Sequence, residues 1–193
     1  MFQVRIHGRG GQGAVSAAEM LSVAAFLDGE HAQAFPSFGS ERNGAPVVAY
    51  CRIDERPIRL HEPVLAPDAL IIQDPTLLHQ IDVFAGVPDH ACIVINSRKS
   101  FDELGLGDYI ERFDPARVLT IPATEIALKH VGRPVPNVPL LGAFVALAGQ
   151  IQLSSVLAAI REKFPERIAE PNVKAAQEAH DMALERMSAL AEH

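Results

Sequence analysis

Four glycines fall within the six positions from Gly8 to Gly13 of the stretch Val4-Arg5-Ile6-His7-Gly8-Arg9-Gly10-Gly11-Gln12-Gly13-Ala14-Val15, and a strand–turn–helix is the arrangement that uses them. A short β-prone run enters the loop and an Ala-rich helix leaves it. In the spacing Gly8-x-Gly10-x-x-Gly13 the first glycine makes the turn, the second lets a ligand approach the backbone, and the third packs the helix on the strand. Each extra glycine costs conformational entropy, so four where one would turn the chain point to contact with a ligand or a partner. The helix N terminus adds unpaired N–H donors and a partial positive charge. Arg9 sets a fixed charge beside that cradle, which suits a polyphosphate or a phosphorylated ribose. Gly8, Arg9, Gly10, Gly11, Gln12 and Gly13 are therefore the candidate ligand-binding residues. The same spacing also serves a tight βα turn with no ligand.

A dinucleotide site of the usual kind places a carboxylate roughly 20 residues beyond the loop, at the tip of the second strand, to hold the ribose hydroxyls. Here the second predicted strand, Ala32–Phe35, runs into Pro36-Ser37-Phe38-Gly39 without one. Asp28 and Glu30 precede that strand, at its wrong end. This argues against NAD(H) bound in the ordinary manner, and no catalytic acid–base set accompanies the loop.

The segment Phe35-Pro36-Ser37-Phe38-Gly39-Ser40-Glu41-Arg42-Asn43-Gly44-Ala45-Pro46 is the second unusual feature. Two prolines restrain it, two glycines permit tight bends, and two phenylalanines sit among polar residues. Aromatic rings beside a Glu-Arg pair fit an interface, while rings folded back into the core explain them equally well.

These two stretches together, GRGGQGAVSAAEML and AQAFPSFGSERNGAPVVAYCRID, resemble the gamma subunit of 2-oxoacid:ferredoxin oxidoreductases, in the pyruvate, 2-oxoisovalerate and aryl-glyoxylate branch. Ile71-Ile72-Gln73-Asp74-Pro75-Thr76-Leu77-Leu78, Gly132-Arg133-Pro134 and Asn137-Val138-Pro139-Leu140-Leu141-Gly142-Ala143-Phe144 follow in the same order, so the likeness runs from Phe2 to about Ala183. It implies an enzyme that decarboxylates a 2-oxoacid on thiamine diphosphate, passes electrons through [4Fe–4S] clusters and delivers the acyl group to coenzyme A. Thiamine diphosphate, Mg and the clusters are expected on the alpha, beta and ferredoxin-like delta subunits. Ferredoxin or a flavin subunit is the expected electron acceptor. The gamma subunit is associated with coenzyme A and with covering the active-site approach. The glycine loop is then expected on the phosphates of coenzyme A, and Ser37, Phe38, Glu41, Arg42 and Asn43 at a subunit interface or active-site cover. The competing class is a non-catalytic nucleotide-sensing or scaffold domain, separated from the first by whether the chain co-purifies with thiamine- and cluster-binding subunits.

Composition limits the alternatives. A net charge of −7 with no long basic run argues against nucleic acid. Only Cys51 and Cys92 are present, and a cluster or structural zinc needs about four Cys or His ligands. Isolated cysteines read as buried, reduced thiols of a cytoplasmic chain. No apolar run is long enough for a membrane span, and no signal-type leader opens the sequence. The histidines show no metal spacing, and there is no nucleophile elbow.

The changes of period predict an α/β chain, with a mostly parallel, doubly wound sheet, a hairpin insertion and a C-terminal helical extension. One domain is expected over 1–193, its α/β core at about 1–136 and its helical end at about 137–193. Predicted strands are Phe2–His7, Ala32–Phe35, Val47–Ile53, Ile58–Leu60, Ala69–Gln73, Ala91–Asn96 and Val118–Pro122. Asp54-Glu55, between two β-prone runs, places the hairpin over Val47–Leu60. Predicted helices are Gly11–Leu27, Thr76–Phe84, Ile126–Val131, Pro139–Ala148, Leu153–Lys163 and Pro171–Leu190. His7, at a strand end, serves a ligand or a backbone hydrogen bond. Asp74, before Pro75 at a helix start, reads as a cap in preference to a ligand contact.

Overall fold

The strand β1 (Phe2–Arg9) lies inside a six-stranded sheet, flanked by β3 (Pro46–Asp54) and β4 (Ala69–Ile72). In this computed structural model, which describes residues 1–37 and 42–192, the strand order is β2-β3-β1-β4-β5-β6, with β2 at His31–Pro36, β5 at Cys92–Asn96 and β6 at Val118–Ile121. β1, β4, β5 and β6 run parallel, and β3 is antiparallel to both β1 and β2. The predicted α/β, mostly parallel sheet is what forms.

Alternation along the strands divides the core. Val4, Ile6, Ile71, Val94 and Ile121 face one side, beneath α1 (Ala14–Leu27), α3 (Ala123–Val131), α4 (Asn137–Ala148), α5 (Leu153–Lys163) and α6 (Glu166–Ala191). Leu70, Ile72, Ile93, Ile95 and Val118 face the other. That second side has only the four-residue α2 (Gly107–Ile110), short 3-10 turns and loops, with Phe84, Tyr109 and Phe113 stacked at centroid distances of 4.6 and 5.6 Å.

α4 is apolar all round and buried from Asn137 to Val145, because it lies between the sheet and α6. At Gly142 a Cβ would stand 2.1 Å from the Ala176 carbonyl oxygen, so only glycine lets α4 and α6 come this close.

Three expectations need correction. The hairpin is formed by β2 and β3, whereas residues 57–60 form no strand. Asp54 turns the chain by accepting from Arg56 N at 3.3 Å, and Pro57, Pro63 and Pro67 then deny it ladder donors. The helix expected at Thr76–Phe84 shrinks to a 3-10 turn, Pro75–His79, after which the chain tucks Val83 and Val87 under the sheet. Finally, α6 starts five residues before Pro171, the position predicted to open it. The proline falls early enough for the helix to absorb it, and Asn172 Nδ2 donates to the Ile168 carbonyl at 2.9 Å.

Candidate functional site

The two unusual sequence stretches meet. β1 ends at Arg9, α1 begins at Ala14, and the backbone between them docks on the segment after β2. Gly10 N donates to the Ala45 carbonyl at 2.8 Å, Gly44 N donates to the Gly10 carbonyl at 3.1 Å, and Gly10 pairs with Asn43 as an isolated bridge. A Cβ on Gly10 would lie 2.2 Å from the Arg42 carbonyl oxygen. The close approach this glycine permits is therefore to the chain's own backbone. Gly13 has φ 77° and caps α1 without a side-chain hydrogen bond, while its carbonyl accepts from Asn137 Nδ2 at 3.2 Å.

Arg9 is also engaged by the protein. Its Nε lies 3.2 Å from Asp74 Oδ2, its Nη1 donates to the Gly44 carbonyl at 3.1 Å, and its Nη2 donates to Thr76 Oγ1 and Gln80 Oε1 at 2.9 and 2.8 Å. Gln12 completes the clasp, accepting from Arg9 N at 2.8 Å and donating from Nε2 to Asp74 Oδ2 at 2.8 Å. Asp74 caps the following turn by accepting from Thr76 N at 3.0 Å, the role its place before Pro75 predicts. Burial alone would raise the Asp74 pKa. Hydrogen bonds from Thr76 and Gln12, with the Arg9 charge, outweigh burial and hold it below the usual carboxylate range.

This clasp fills the place where an open α/β sheet ordinarily binds its ligand. Beyond the ends of β1 and β4 the chain departs to opposite faces, α1 to one and the Pro75 turn to the other, which is the topological switch point. β3 also separates β2 from β1, so the tip of β2 is not beside the glycine loop as a ribose-binding carboxylate requires.

His7 is structural. It is buried, and its Nε2 accepts from Arg5 Nε at 3.1 Å. Burial first, then the Arg5 charge, push its pKa down to about 3, so it stays neutral as an acceptor must. Arg5 in turn donates to the carbonyls of Val64, Val83 and Ala85 at 3.2, 2.9 and 2.7 Å, pinning two loops to the second face.

The open space lies on the other side of the glycine loop. A cavity of about 420 Å³ is bounded by Gly11, Gly13 and Ser16 at the start of α1, by Arg133 and Val135 between α3 and α4, and by Phe164, Arg167 and Ile168 at the start of α6. Arg133 and Arg167 are exposed, and among the described residues they make no ion pair and no acidic residue lines the cavity. A smaller hollow of about 280 Å³ lies between Arg9, Gly10, Val15 and Val47.

Sequence reading did not single out these arginines. Arg133 stands in the quoted Gly132-Arg133-Pro134 run and could have been found there, whereas Arg167 carries no local signal. Of the expected cover residues, Ser37 N extends the β2–β3 ladder by donating to the Val48 carbonyl at 2.8 Å, and Arg42 and Asn43 lie against the glycine loop. Phe38 and Glu41 lie outside the described residues.

The sequence model for pyruvate ferredoxin/flavodoxin oxidoreductase matches residues 3–182. The chain belongs to this family. It is 43% identical over 183 residues to the pyruvate/ketoisovalerate oxidoreductases common subunit gamma of Pyrococcus abyssi, covering 94% of this chain and 96% of that one. To the pyruvate synthase subunit PorC of Methanosarcina barkeri it is 50% identical over 161 residues, covering 83% and 85%. The crystal structure of pyruvate oxidoreductase subunit PORC from Thermotoga maritima superposes with a TM-score of 0.77 at 32% identity, over 93% of this chain and 95% of that one.

Within this family of redox enzymes the chain's own residues do not suit a cluster. Two cysteines fall short of the four thiolates needed. Both are buried, and burial pushes the Cys51 thiol up to about 12 and raises that of Cys92 as well, so neither is a thiolate near neutrality.

Proposed function

We propose that this chain is the gamma subunit of a multi-subunit 2-oxoacid oxidoreductase that forms an acyl-CoA, and that the start of α1 receives the phosphates of coenzyme A. The observation that carries the reading is an uncapped helix N terminus opening on a cavity that two arginines and, among the described residues, no acid line, in a member of this family. Gly11 and Gly13 supply the backbone approach, and the clasp of Arg9 and Gln12 holds the loop's shape behind them. Thiamine diphosphate, Mg and the [4Fe–4S] clusters belong to alpha, beta and ferredoxin-like delta partners, with ferredoxin or a flavin subunit taking the electrons. The segment from Ser37 to Asn43 covers the approach to the thiamine centre.

The substrate is pyruvate, a branched-chain 2-oxoacid or an aryl glyoxylate, selected by the partner subunits. The name of the Pyrococcus relative, a gamma subunit common to pyruvate and ketoisovalerate oxidoreductases, supports placing that choice outside gamma. A cytoplasmic setting agrees with buried free thiols and with the lack, among the described residues, of a helix long and apolar enough to cross a membrane.

The test is co-purification of the tagged chain from its native cell, followed by an assay of 2-oxoacid oxidation dependent on coenzyme A. Recovery with thiamine- and cluster-bearing chains, and a raised KM for coenzyme A when Ser16 is replaced by a bulky acidic residue, support the reading. Recovery alone, with no such partners, would make the chain a nucleotide-binding scaffold.

A further inference from the structure

We infer that the outer edge of β2 joins the same edge of a second copy of this chain, with Gln33 on the two-fold axis and Ala32 of each copy bonded to Ala34 of the other. This contact is independent of whether coenzyme A binds at the start of α1.

The two ends of the sheet are treated differently. β6, the last strand on one side, is buried along its length, and Arg186 Nη1 donates to the Thr120 carbonyl there. β2, the last strand on the other, is half-buried from Ala32 to Phe35, and among the described residues no strand lies on its outer side. An open edge is a template for another chain unless charge, a bulge or a covering segment blocks it. Ala32–Phe35 carries no charged residue, and its register with β3 is unbroken.

Backbone donors then fix the register. Ser37 N donates to the Val48 carbonyl at 2.8 Å, in line with the β2–β3 pairing. By the antiparallel alternation His31, Gln33 and Phe35 spend their backbone groups on β3, while Ala32 and Ala34 turn theirs outward. Setting Gln33 against Gln33 of the second copy pairs each Ala32 with an Ala34 and satisfies every outward donor and acceptor of both. The next pair in that register is Glu30 against Pro36, and neither has an N–H to offer. Proline lacks one, and Glu30 N already donates to the Ala25 carbonyl at 3.0 Å. Centring the axis on Ala32 or Ala34 instead sets an alanine against Glu30 or Pro36 and leaves its carbonyl without a donor.

Such self-complementarity is what an isologous two-fold contact requires, and it favours a second copy over an unrelated strand. Side chains agree. Ala32 and Ala34 are small and pack on the α1 side, so the edges meet there without a clash. On the other side His31 of one copy falls opposite Phe35 of the second, and the two Gln33 amides face each other.

The experiment measures the mass of the full chain by sedimentation and cross-links it through single cysteines, alone and in the assembled enzyme. The expected result is a dimer whose dissociation constant rises by about tenfold or more in Gln33→Glu, where two carboxylates oppose each other. Ala34→Pro does the same by removing an outward N–H without touching the bonds to β3. Gln33→Glu keeps the far-UV circular dichroism of the unaltered chain. Gln33→Cys joins two copies on mild oxidation, because opposed residues of a non-hydrogen-bonded pair stand about 4.5 Å apart at Cα, within disulfide reach. His31→Cys does not, and the buried Cys51 and Cys92 do not compete. A chain that stays monomeric with no cross-link through Gln33→Cys overturns the inference, as does a dimer that survives both Gln33→Glu and Ala34→Pro. Equal cross-linking through His31→Cys overturns the register. Protection of the Ala32 and Ala34 amides in the assembled enzyme without a Gln33→Cys cross-link gives the edge to a partner subunit's strand, and overturns it too.

Discussion

Arg9 Nε stands 3.2 Å from Asp74 Oδ2, joining the ends of two adjacent parallel strands across the point where their chains part. Both side chains are mostly buried, at 19% and 14% exposure, and both also hold neighbouring backbone. Removing Arg9 leaves Asp74 its bonds from Thr76 and Gln12 but takes away its countercharge and the contacts to Gly44, Thr76 and Gln80. Arg9→Ala is expected to lower the unfolding free energy by about 1–3 kcal/mol. Asp74 has its pKa lowered on folding, so its contribution is fully present above the unfolded value of about 3.9 and is lost as pH falls through the folded one. Urea unfolding of Arg9→Ala and of the unaltered chain at pH 7 checks the first expectation; equal midpoints would remove the clasp from the stability account.

Gly10→Val forces a Cβ into the Arg42 carbonyl, 2.2 Å away. The expected outcome is a loss of about 1–3 kcal/mol with freer backbone at residues 42–45, read as faster proteolytic cleavage there. Unchanged cleavage would show that the two loops do not depend on each other.

His7 is expected to make the chain acid-sensitive. Its pKa falls from 6.5 to about 3 on folding, so between those values the unfolded chain binds more protons. Stability from this residue is complete above about pH 6.5 and declines as pH drops toward 3, by a few kcal/mol in all at about 1.4 kcal/mol per unit. His7→Gln keeps an acceptor for Arg5 and has nothing to protonate, so its stability should change less over pH 4–6.5. Parallel slopes for the two proteins would assign the acid sensitivity elsewhere.

Cys51 and Cys92 should be unreactive toward an aromatic disulfide reagent in the native chain and titrate as two thiols after unfolding. The purified chain alone should also carry neither iron nor thiamine, and should not reduce methyl viologen with a 2-oxoacid. Stoichiometric cluster iron on the lone chain would contradict the two-cysteine argument.

Local signals carried the strand into the glycine loop, α1, and the apolar runs Ala69–Ile72 and Cys92–Asn96, because buried parallel strands and their turns are specified by nearby residues. The partner of β3 was another matter. Both β2 and residues 58–60 are β-prone, and what separates them is prolines and the Arg5 contact to Val64, across 59 positions. The site divides in the same way. Glycine spacing located the start of α1, but the neighbours that make Gly10 necessary come from residues 42–45, and Arg133 and Arg167 reach one cavity only through the packing of α4 against α6.

The unequal covering of the sheet is expected to give its two sides different rates of hydrogen exchange. One side is closed by long helices whose backbone bonds are internal and whose apolar contacts interlock. The other is held where Arg5 reaches three carbonyls of the loops that cross it. Exchange is expected to enter from that side first, and the amides of α4 to exchange last. Arg5 is in effect the hinge pin of that thinner wall, and its loss would let water reach β1 while α1 and the cavity beside it kept their form.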